Sequence, residues 1–173
     1  RVCSLRGGGN AMSIPKEPKK RLTRAEHQVN KKMCKAVMQG NLDQVRKLMK
    51  QGADPCYKHC GPLDYSVMHH AITKHQHAVL HYLVGHGGNI HQRCGLGWTL
   101  LHQAAFLGDL EMCEWLIKNG VETTIQNNAR RTAAQVAKTN GHKACGQALF
   151  KYEGLAQARK GRQAPPEASD GDH

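Results

Sequence analysis

The sequence predicts an all-α fold, an array of short antiparallel helix pairs, on the strength of three observations. One phrase recurs every 33 residues, because S66-V-M-H-H-A-I, T99-L-L-H-Q-A-A and T132-A-A-Q-V-A-K align at that interval. Glycines recur at nearly the same interval. Hydrophobic residues make up 39% of the chain but aromatic residues only 5%, which favours thin helical layers over a thick β-sandwich. Repeats of this length indicate stacked supersecondary units.

The recurring glycines are expected to end helices. A helix that stops and reverses within a few residues needs a residue with positive φ, which glycine adopts without steric cost. In the second unit His75 takes the place of Gly108, and histidine is among the residues enriched at positive φ. The glycines in register are Gly40, Gly108 and Gly141 after the first helices, and Gly52, Gly87 and Gly120 after the second.

The second helix of each pair should bury one apolar face. Its hydrophobic residues follow the spacing of a helix with a single buried side. In two of the units these residues are Val79, Leu80, Leu83 and Val84, and Met112, Cys113, Leu116 and Ile117.

This pattern resembles the ankyrin repeat, on the phrase T99-L-L-H-Q-A-A, the helix G108-D-L-E-M-C-E-W-L-I and Gly120. The resemblance implies a solenoid of helix-turn-helix units joined by β-hairpin-like fingers, and a protein that binds other proteins without catalysis. It departs from the family pattern where Leu100 and Val67 replace proline and Gln135 replaces histidine. It also implies structural roles in the turns for His69, Thr99, His102 and Thr132, with the histidines hydrogen-bonding adjoining turns.

The repeat domain is expected to span residues 23–152. T23-R-A-E26 reads as a capping box that starts a helix near residues 24–38, so the first unit caps the array. Residues 1–22 are predicted to be a disordered basic arm, with 1–11 preceding a native-looking start at Met12. The polar, proline-containing segment 153–173 is predicted to be a disordered tail. The four units lie at about 23–57, 58–93, 94–126 and 127–152.

The net charge of +12 is concentrated in the N-terminal arm. Residues 1–35 hold ten basic side chains against two acidic ones, whereas residues 36–150 hold eleven against seven. The run K16-E-P-K-K-R-L-T-R24 resembles a nuclear-import signal and could also contact phosphates. Nucleic-acid binding is not favoured, because no aromatic residues are interleaved with these charges.

Composition also indicates the compartment in which the protein resides. No run approaches the roughly 18 apolar residues of a membrane span, and the N-terminus lacks the profile of a signal peptide. We therefore expect a soluble, monomeric, cytoplasmic protein that contacts no membrane, with the basic arm as a route to the nucleus. Seven cysteines, an odd number at uneven spacing, predict unpaired thiols rather than a disulfide framework.

No catalytic constellation and no cofactor site is predicted. The candidate for a zinc site is C56-Y-K-H-C60, with His91 and Cys94 nearby. Only the pair Cys56 and Cys60 has the spacing of a closed zinc site. H77-x3-H81 is expected to face solvent. The sequence therefore predicts neither a metal nor a cofactor.

In the register of the resembled family, the residues that flank each turn and end each first helix point into a concave groove. Trp98, Phe106, Leu107 and Tyr65 would expose an apolar and aromatic patch, and such patches usually mark binding sites. The alternative is that Trp98 packs on its own hairpin and Phe106 on the next helix. The predicted partner-binding residues are Tyr65, Lys74, Leu96, Trp98, Phe106, Leu107, Arg131 and Asn140, beside Met38, Gln39, Thr73 and Thr139.

The sequence therefore predicts a non-catalytic adaptor that binds a protein partner through the groove and hairpin tips. The alternative is a nuclear regulatory protein, in which the basic arm serves import or nucleic-acid contact and the repeats hold a transcription factor.

Overall fold

A computed structural model describes residues 22–58 and 63–162, with side chains to residue 158. These residues form four pairs of antiparallel helices. The helices are α1 Arg24–Met38, α2 Leu42–Lys50, α3 Val67–Thr73, α4 His77–Gly85, α5 Leu100–Leu107, α6 Leu110–Lys118, α7 Ala133–Thr139 and α8 Lys143–Arg162. The predicted all-α solenoid is confirmed.

Each first helix begins at a hydroxyl side chain. The hydroxyl oxygen of Thr23, Ser66, Thr99 or Thr132 accepts a hydrogen bond from the backbone N–H three residues later. This contact satisfies one of the amide groups that a helix N-terminus leaves unpaired. The capping box predicted at Thr23 and Glu26 is present.

The first helices end at residues with positive φ, as predicted. Gly108 has a φ of 72° and His75, its counterpart in the second pair, has a φ of 52°. A second series was not predicted: Asp64, Gly97 and Arg130 are spaced 33 residues apart and also have positive φ. Each of these lies directly before a predicted groove residue, so the same turn presents Tyr65, Trp98 and Arg131.

The hydrophobic core runs along the stack between the two layers of helices. Helix α1 packs on α3, α3 on α5, and α5 on α7, while α2 and α4 pack behind them. Val79, Leu80 and Leu83 are buried on α4, and Met112, Cys113 and Leu116 on α6, as the spacing predicted. Val84 and Ile117 are only partly buried against this core.

Two of the fingers between pairs are tight hairpins. Between the second and third pairs, Arg93 and Thr99 form an antiparallel bridge, and Cys94 N–H donates to the carbonyl of Trp98 at 2.9 Å. Between the third and fourth pairs, Asn127 N–H donates to the carbonyl of Arg131 at the same distance. The hairpins thus bring the residues before and after each tip together at the groove.

The C-terminal end of the stack differs from the prediction. Helix α8 continues to Arg162, so it includes the first ten residues of the predicted disordered tail, 153–162. Its Glu153 is buried beside the Thr132 side chain and the Ala134 N–H at the start of α7, and its Oε1 has no hydrogen-bond partner among the described residues. The extended α8 therefore contacts the start of α7, in the last helix pair of the described residues. Residues 163–173 of the predicted tail, and residues 1–21 of the predicted arm, lie outside the described residues.

One cysteine differs from the prediction of unpaired thiols. Cys34 is disulfide-bonded, so the prediction is wrong for that residue. Four others, Cys56, Cys94, Cys113 and Cys145, are not disulfide-bonded.

None of the helices within 22–58 and 63–162 combines the length and the apolar character required to cross a bilayer.

Candidate protein-binding groove

Two buried histidines connect each turn to the next repeat. His69 Nε2 lies 3.2 Å from the carbonyl oxygen of Trp98, and His102 Nε2 lies 2.9 Å from that of Arg131. Their Nδ1 atoms accept from the capping hydroxyls of Ser66 and Thr99 at 2.7 and 2.8 Å. Nε2 must therefore carry the proton and donate it to the carbonyl. The structural roles implied for these histidines are present in the structure.

Burial keeps both rings neutral. It lowers the pKa of His69 to about 4, an effect that the hydrogen bond to the Trp98 carbonyl opposes and the nearby His70 and Lys58 reinforce. Burial also lowers the pKa of His102. The hydrogen-bonding pattern described above requires neutral imidazoles, so it is intact at neutral pH.

Gln135 replaces the third histidine of the series. Its side-chain oxygen accepts from the backbone N–H of Thr132 at 3.0 Å, which completes a capping box. It has no further turn to reach, because α7 and α8 form the last pair among the described residues. The departure from the family pattern therefore coincides with the last helix pair of the described residues.

The groove contains an aromatic pair from one repeat. The ring centroids of Trp98 and Phe106 lie 5.4 Å apart with their planes at 57°, within the range of favourable aromatic contacts. Phe106 is 40% exposed although it is a large apolar side chain. The two rings line a cavity of about 370 Å³, so part of their surface remains open to a ligand.

The opposite wall of this cavity comes from the fourth repeat. Predicted residues Arg131 and Asn140 line it, both exposed, together with Thr139. Asn140 Nδ2 donates to the carbonyl of Val136 at 2.8 Å, which fixes its amide at the end of α7. The cavity is thus aromatic on one side and polar on the other.

Sequence reasoning missed three residues of this cavity, Asn127, Ala129 and Val136. Asn127 Oδ1 accepts from the backbone N–H groups of Ala129 and Arg131 at 2.9 and 3.1 Å. An asparagine two residues before a turn commonly makes such contacts, so N127-N-A-R130 contained a usable signal. Val136 lies on α7, and its place in the cavity depends on how α7 packs against α5.

The other predicted groove residues do not line this cavity. Tyr65 is half-buried with its ring 5.6 Å from that of His69, and Lys74 is exposed at the end of α3. Leu96 is exposed at a hairpin tip. Leu107 packs partly buried against the core, which limits its contact with a partner. The structure therefore brings together Trp98, Phe106, Arg131 and Asn140, and places the remaining four elsewhere.

The cysteine and histidine candidates for zinc are not gathered into one site among the described residues. Cys56 Sγ contacts the carbonyl of Gly87 at 3.6 Å and the N–H of Asn89 at 3.3 Å. Cys60 of the motif C56-Y-K-H-C60 lies outside the described residues. His91 is exposed and Cys94 is buried. Cys56 therefore connects two neighbouring fingers.

The prediction that His77 and His81 face solvent is confirmed for His81, which is exposed, and wrong for His77, which is partly buried. His77 is partly buried and its Nε2 lies 2.7 Å from Asp109 Oδ2. His81 is exposed, but its ring stacks on that of Trp115 with centroids 4.2 Å apart. Both side chains contact the neighbouring helix α6, which the register of the sequence did not reveal.

Comparison with known proteins identifies the repeat. The family model of ankyrin repeats, in three copies, matches residues 33–127, which is more than half of the chain. Repeats of this family generally mediate protein–protein interaction and are typically non-catalytic.

Individual relatives match over part of the chain. The potassium channel AKT3 of Oryza sativa subsp. japonica is 32% identical over 97 residues, covering 56% of this chain and 11% of the channel. The RelA-associated inhibitor of Mus musculus is 29% identical over 97 residues, covering 54% of this chain and 12% of the inhibitor. Alpha-latrotoxin-Lg1a of Latrodectus geometricus is 28% identical over 109 residues, covering 61% and 8% respectively. The chain spans only about a tenth of the length of each of these relatives. On its repeat phrase, its helix pairs and the matching family model, the chain belongs to the ankyrin-repeat family.

Proposed function

We propose that this chain is a non-catalytic adaptor that binds a protein partner in the groove between its third and fourth helix pairs. The observation that carries the proposal is the partly exposed aromatic pair Trp98 and Phe106 at a cavity of about 370 Å³. Tryptophan, tyrosine and arginine dominate the energetics of protein interfaces. Here a tryptophan and an arginine, Arg131, line the same cavity.

Preorganisation supports this function. The carbonyl groups of Trp98 and Arg131 are each held by a buried histidine of the preceding repeat. The backbone that presents both side chains is therefore fixed before a partner arrives. Binding to a fixed surface costs less ordering entropy than binding to a mobile one.

The lining of the cavity suggests the chemistry of the partner. An apolar or aromatic side chain would pack against Phe106 and Trp98. The guanidinium of Arg131 would pair with a carboxylate or a backbone carbonyl next to that side chain. We therefore expect a partner segment in which an apolar anchor stands beside an acidic residue.

The experiment compares substitution of the aromatic pair in the groove with substitution of a phenylalanine that is equally exposed elsewhere. Phe106 is 40% exposed in the groove, and Phe150 is 41% exposed on α8. Affinity purification with mass spectrometry would compare the wild-type chain, Trp98→Ala with Phe106→Ala, and Phe150→Ala. Circular dichroism melting would establish that each variant remains folded.

We expect the double substitution to lose a set of proteins that the wild type and Phe150→Ala retain. For a recovered partner, its affinity should fall by more than about 2 kcal/mol, or about thirtyfold. Identical protein lists from folded wild type and double variant would sink the proposal.

The second candidate function is a nuclear regulatory protein, and one relative is named RelA-associated inhibitor. Lys31 and Lys32, which continue the basic run, are exposed on α1. Because α1 begins at Arg24, the test should replace Lys19, Lys20 and Arg21 by glutamine and leave α1 intact. Lost nuclear signal or lost salt-dependent nucleic-acid binding would favour this candidate. An unchanged cytoplasmic distribution would favour the adaptor in the cytoplasm.

A further inference from the structure

Three side chains with metal-binding atoms converge between the second and third repeats. His75 Nδ1 lies 3.2 Å from Asp109 Oδ2, and His77 Nε2 lies 2.7 Å from the same oxygen. All three donor atoms lie within 4.8 Å of one another. Two of the residues come from the α3–α4 turn and the start of α4, and the third comes from the start of α6.

The two nitrogen–oxygen separations are close to those of a tetrahedral metal site. Zinc binds nitrogen and oxygen at about 2.0–2.2 Å, which places tetrahedral ligand atoms roughly 3.3 Å apart. Both nitrogens lie within about 0.6 Å of that separation from Oδ2. An ion could therefore replace the two protons that the imidazoles now donate, after small shifts of the side chains.

The surroundings meet two further requirements of such a site. The Asp109 side chain is only 7% exposed, and its Oδ1 accepts from the Met112 N–H at 3.0 Å, which orients the carboxylate as outer contacts do in metal sites. The His75 side chain is 58% exposed, so a fourth ligand, water, has access from solvent.

The repeat itself does not require a histidine at either position 75 or position 77. Gly40, Gly108 and Gly141 occupy the place of His75 in the other three repeats, all with positive φ. A side chain at positive φ costs energy that glycine avoids. His77 is likewise the counterpart of Leu42, Leu110 and Lys143 as the first residue of its helix.

We propose that His75, His77 and Asp109 bind one divalent transition-metal ion, for which zinc is the best-matched candidate. Two imidazoles and one carboxylate suit zinc, cobalt, nickel or copper, whereas magnesium and calcium prefer sites built from oxygen alone. The bound ion joins the α3–α4 pair to the α5–α6 pair. It therefore fixes the stacking of the second repeat on the third, which forms one wall of the groove.

Two substitutions remove ligands while preserving the local fold. His75→Gly introduces the residue that ends the first helix in the other repeats, at a φ that glycine already adopts there. Asp109→Asn keeps the cap of α6, because Asn41 caps α2 through its own Oδ1, 3.0 Å from the Gln44 N–H. His91→Ala serves as the matched control, since His91 is an exposed histidine outside the cluster.

The test is calorimetric titration of the reduced full-length chain with zinc chloride at neutral pH. We expect the wild type and His91→Ala to bind an equivalent of zinc that His75→Gly and Asp109→Asn lose or bind at least tenfold more weakly. Unchanged stoichiometry and affinity in both ligand variants, or no saturable binding by the wild type, would overturn the proposal.

Visible spectroscopy with cobalt as the probe separates this site from the cysteines. Cobalt bound by nitrogen and oxygen shows d–d absorption without strong thiolate charge-transfer bands. We expect that spectrum in the wild type and its loss in His75→Gly. Charge-transfer bands that persist in His75→Gly, with no d–d component lost, would assign the metal to thiolates and refute the His75 site.

Discussion

The imidazole of His69 lies 3.2 Å from the backbone carbonyl of Trp98, 29 residues later in the chain. A buried group that stabilises the stacking of repeats thereby also positions the tryptophan of the candidate groove. The ring must be neutral and protonated on Nε2 to make its contacts. Protonation of His69 at low pH should therefore affect both the stability of the repeats and the position of Trp98.

We expect acidification from pH 7 to pH 4 to destabilise the protein through His69. Its pKa is about 4 in the folded chain, below the ordinary histidine value of 6.5, so the unfolded state takes up the proton first. The contribution of His69 to the free energy of unfolding is fully present above pH 6.5 and is lost as pH falls toward 4. The loss amounts to roughly 3 kcal/mol. His102, whose pKa is also lowered by burial, adds a loss in the same direction.

Urea unfolding at pH 7, 6, 5 and 4 measures this effect. The variant His69→Gln, which does not titrate, should be less stable at pH 7 but should lose less stability on acidification. Parallel pH profiles for wild type and His69→Gln would contradict the assignment.

The extended part of α8 should contribute to global stability through Glu153. Burial raises the pKa of this carboxyl, an effect that the nearby Thr132 side chain and Ala134 N–H oppose. Glu153→Ala removes the polar group that faces the first amides of α7, so we expect a loss of about 1–3 kcal/mol. Glu153→Gln keeps one acceptor and buries no charge, and it should cost less.

Thermal and urea unfolding of these two variants, and of a chain ended at residue 152, provide the measurement. The shortened chain should be at least as unstable as Glu153→Ala. Wild-type stability in the shortened chain would mean that the helix beyond residue 152 does not stabilise the fold through its contact with α7.

Two glycine-to-alanine substitutions should act in opposite directions. Gly108 has a φ of 72°, and a Cβ there would collide with the ring of His142. We expect Gly108→Ala to destabilise by at least about 1–2 kcal/mol. Gly85 lies in α4 without positive φ and with open space around its Cβ position, so Gly85→Ala should stabilise by about 0.5–1 kcal/mol. Melting temperatures that move in the same direction for both would refute this reading of the turns.

The thiols of Cys113 and Cys145 should resist alkylation in the folded protein. Their sulfur atoms lie 3.7 Å apart between α6 and α8, and both side chains are almost completely buried. The contact with Cys145 and burial together raise the pKa of Cys113, and reactivity requires the thiolate. Iodoacetamide labelling read by mass spectrometry should modify Cys56, which is partly exposed, well before this pair.

The same labelling in concentrated urea is the control, and there Cys56, Cys113 and Cys145 should react at similar rates. Rapid modification of Cys113 in native buffer, at the rate of Cys56, would show that α6 and α8 separate readily.

The features that the sequence determined are those that act within a few residues. Thr99 caps α5 through the third amide that follows it, and Gly108 ends the same helix because it alone among nearby residues adopts positive φ freely. Period, helix starts, helix ends and turn residues are therefore readable from local chemistry repeated every 33 residues. The family itself could be identified because these local signals recur together.

The tertiary structure decided which side chains from different repeats meet. The walls of the groove cavity come from α5 and α7, and Val136 joins them only because those helices pack together. His75, His77 and Asp109 converge across more than 30 residues of sequence, and Glu153 reaches Thr132 because α8 folds back on α7. Such meetings depend on the rotation and spacing between stacked repeats. No local pattern encodes those quantities, so the extent of α8 and the limits of the groove emerged only with the packed chain.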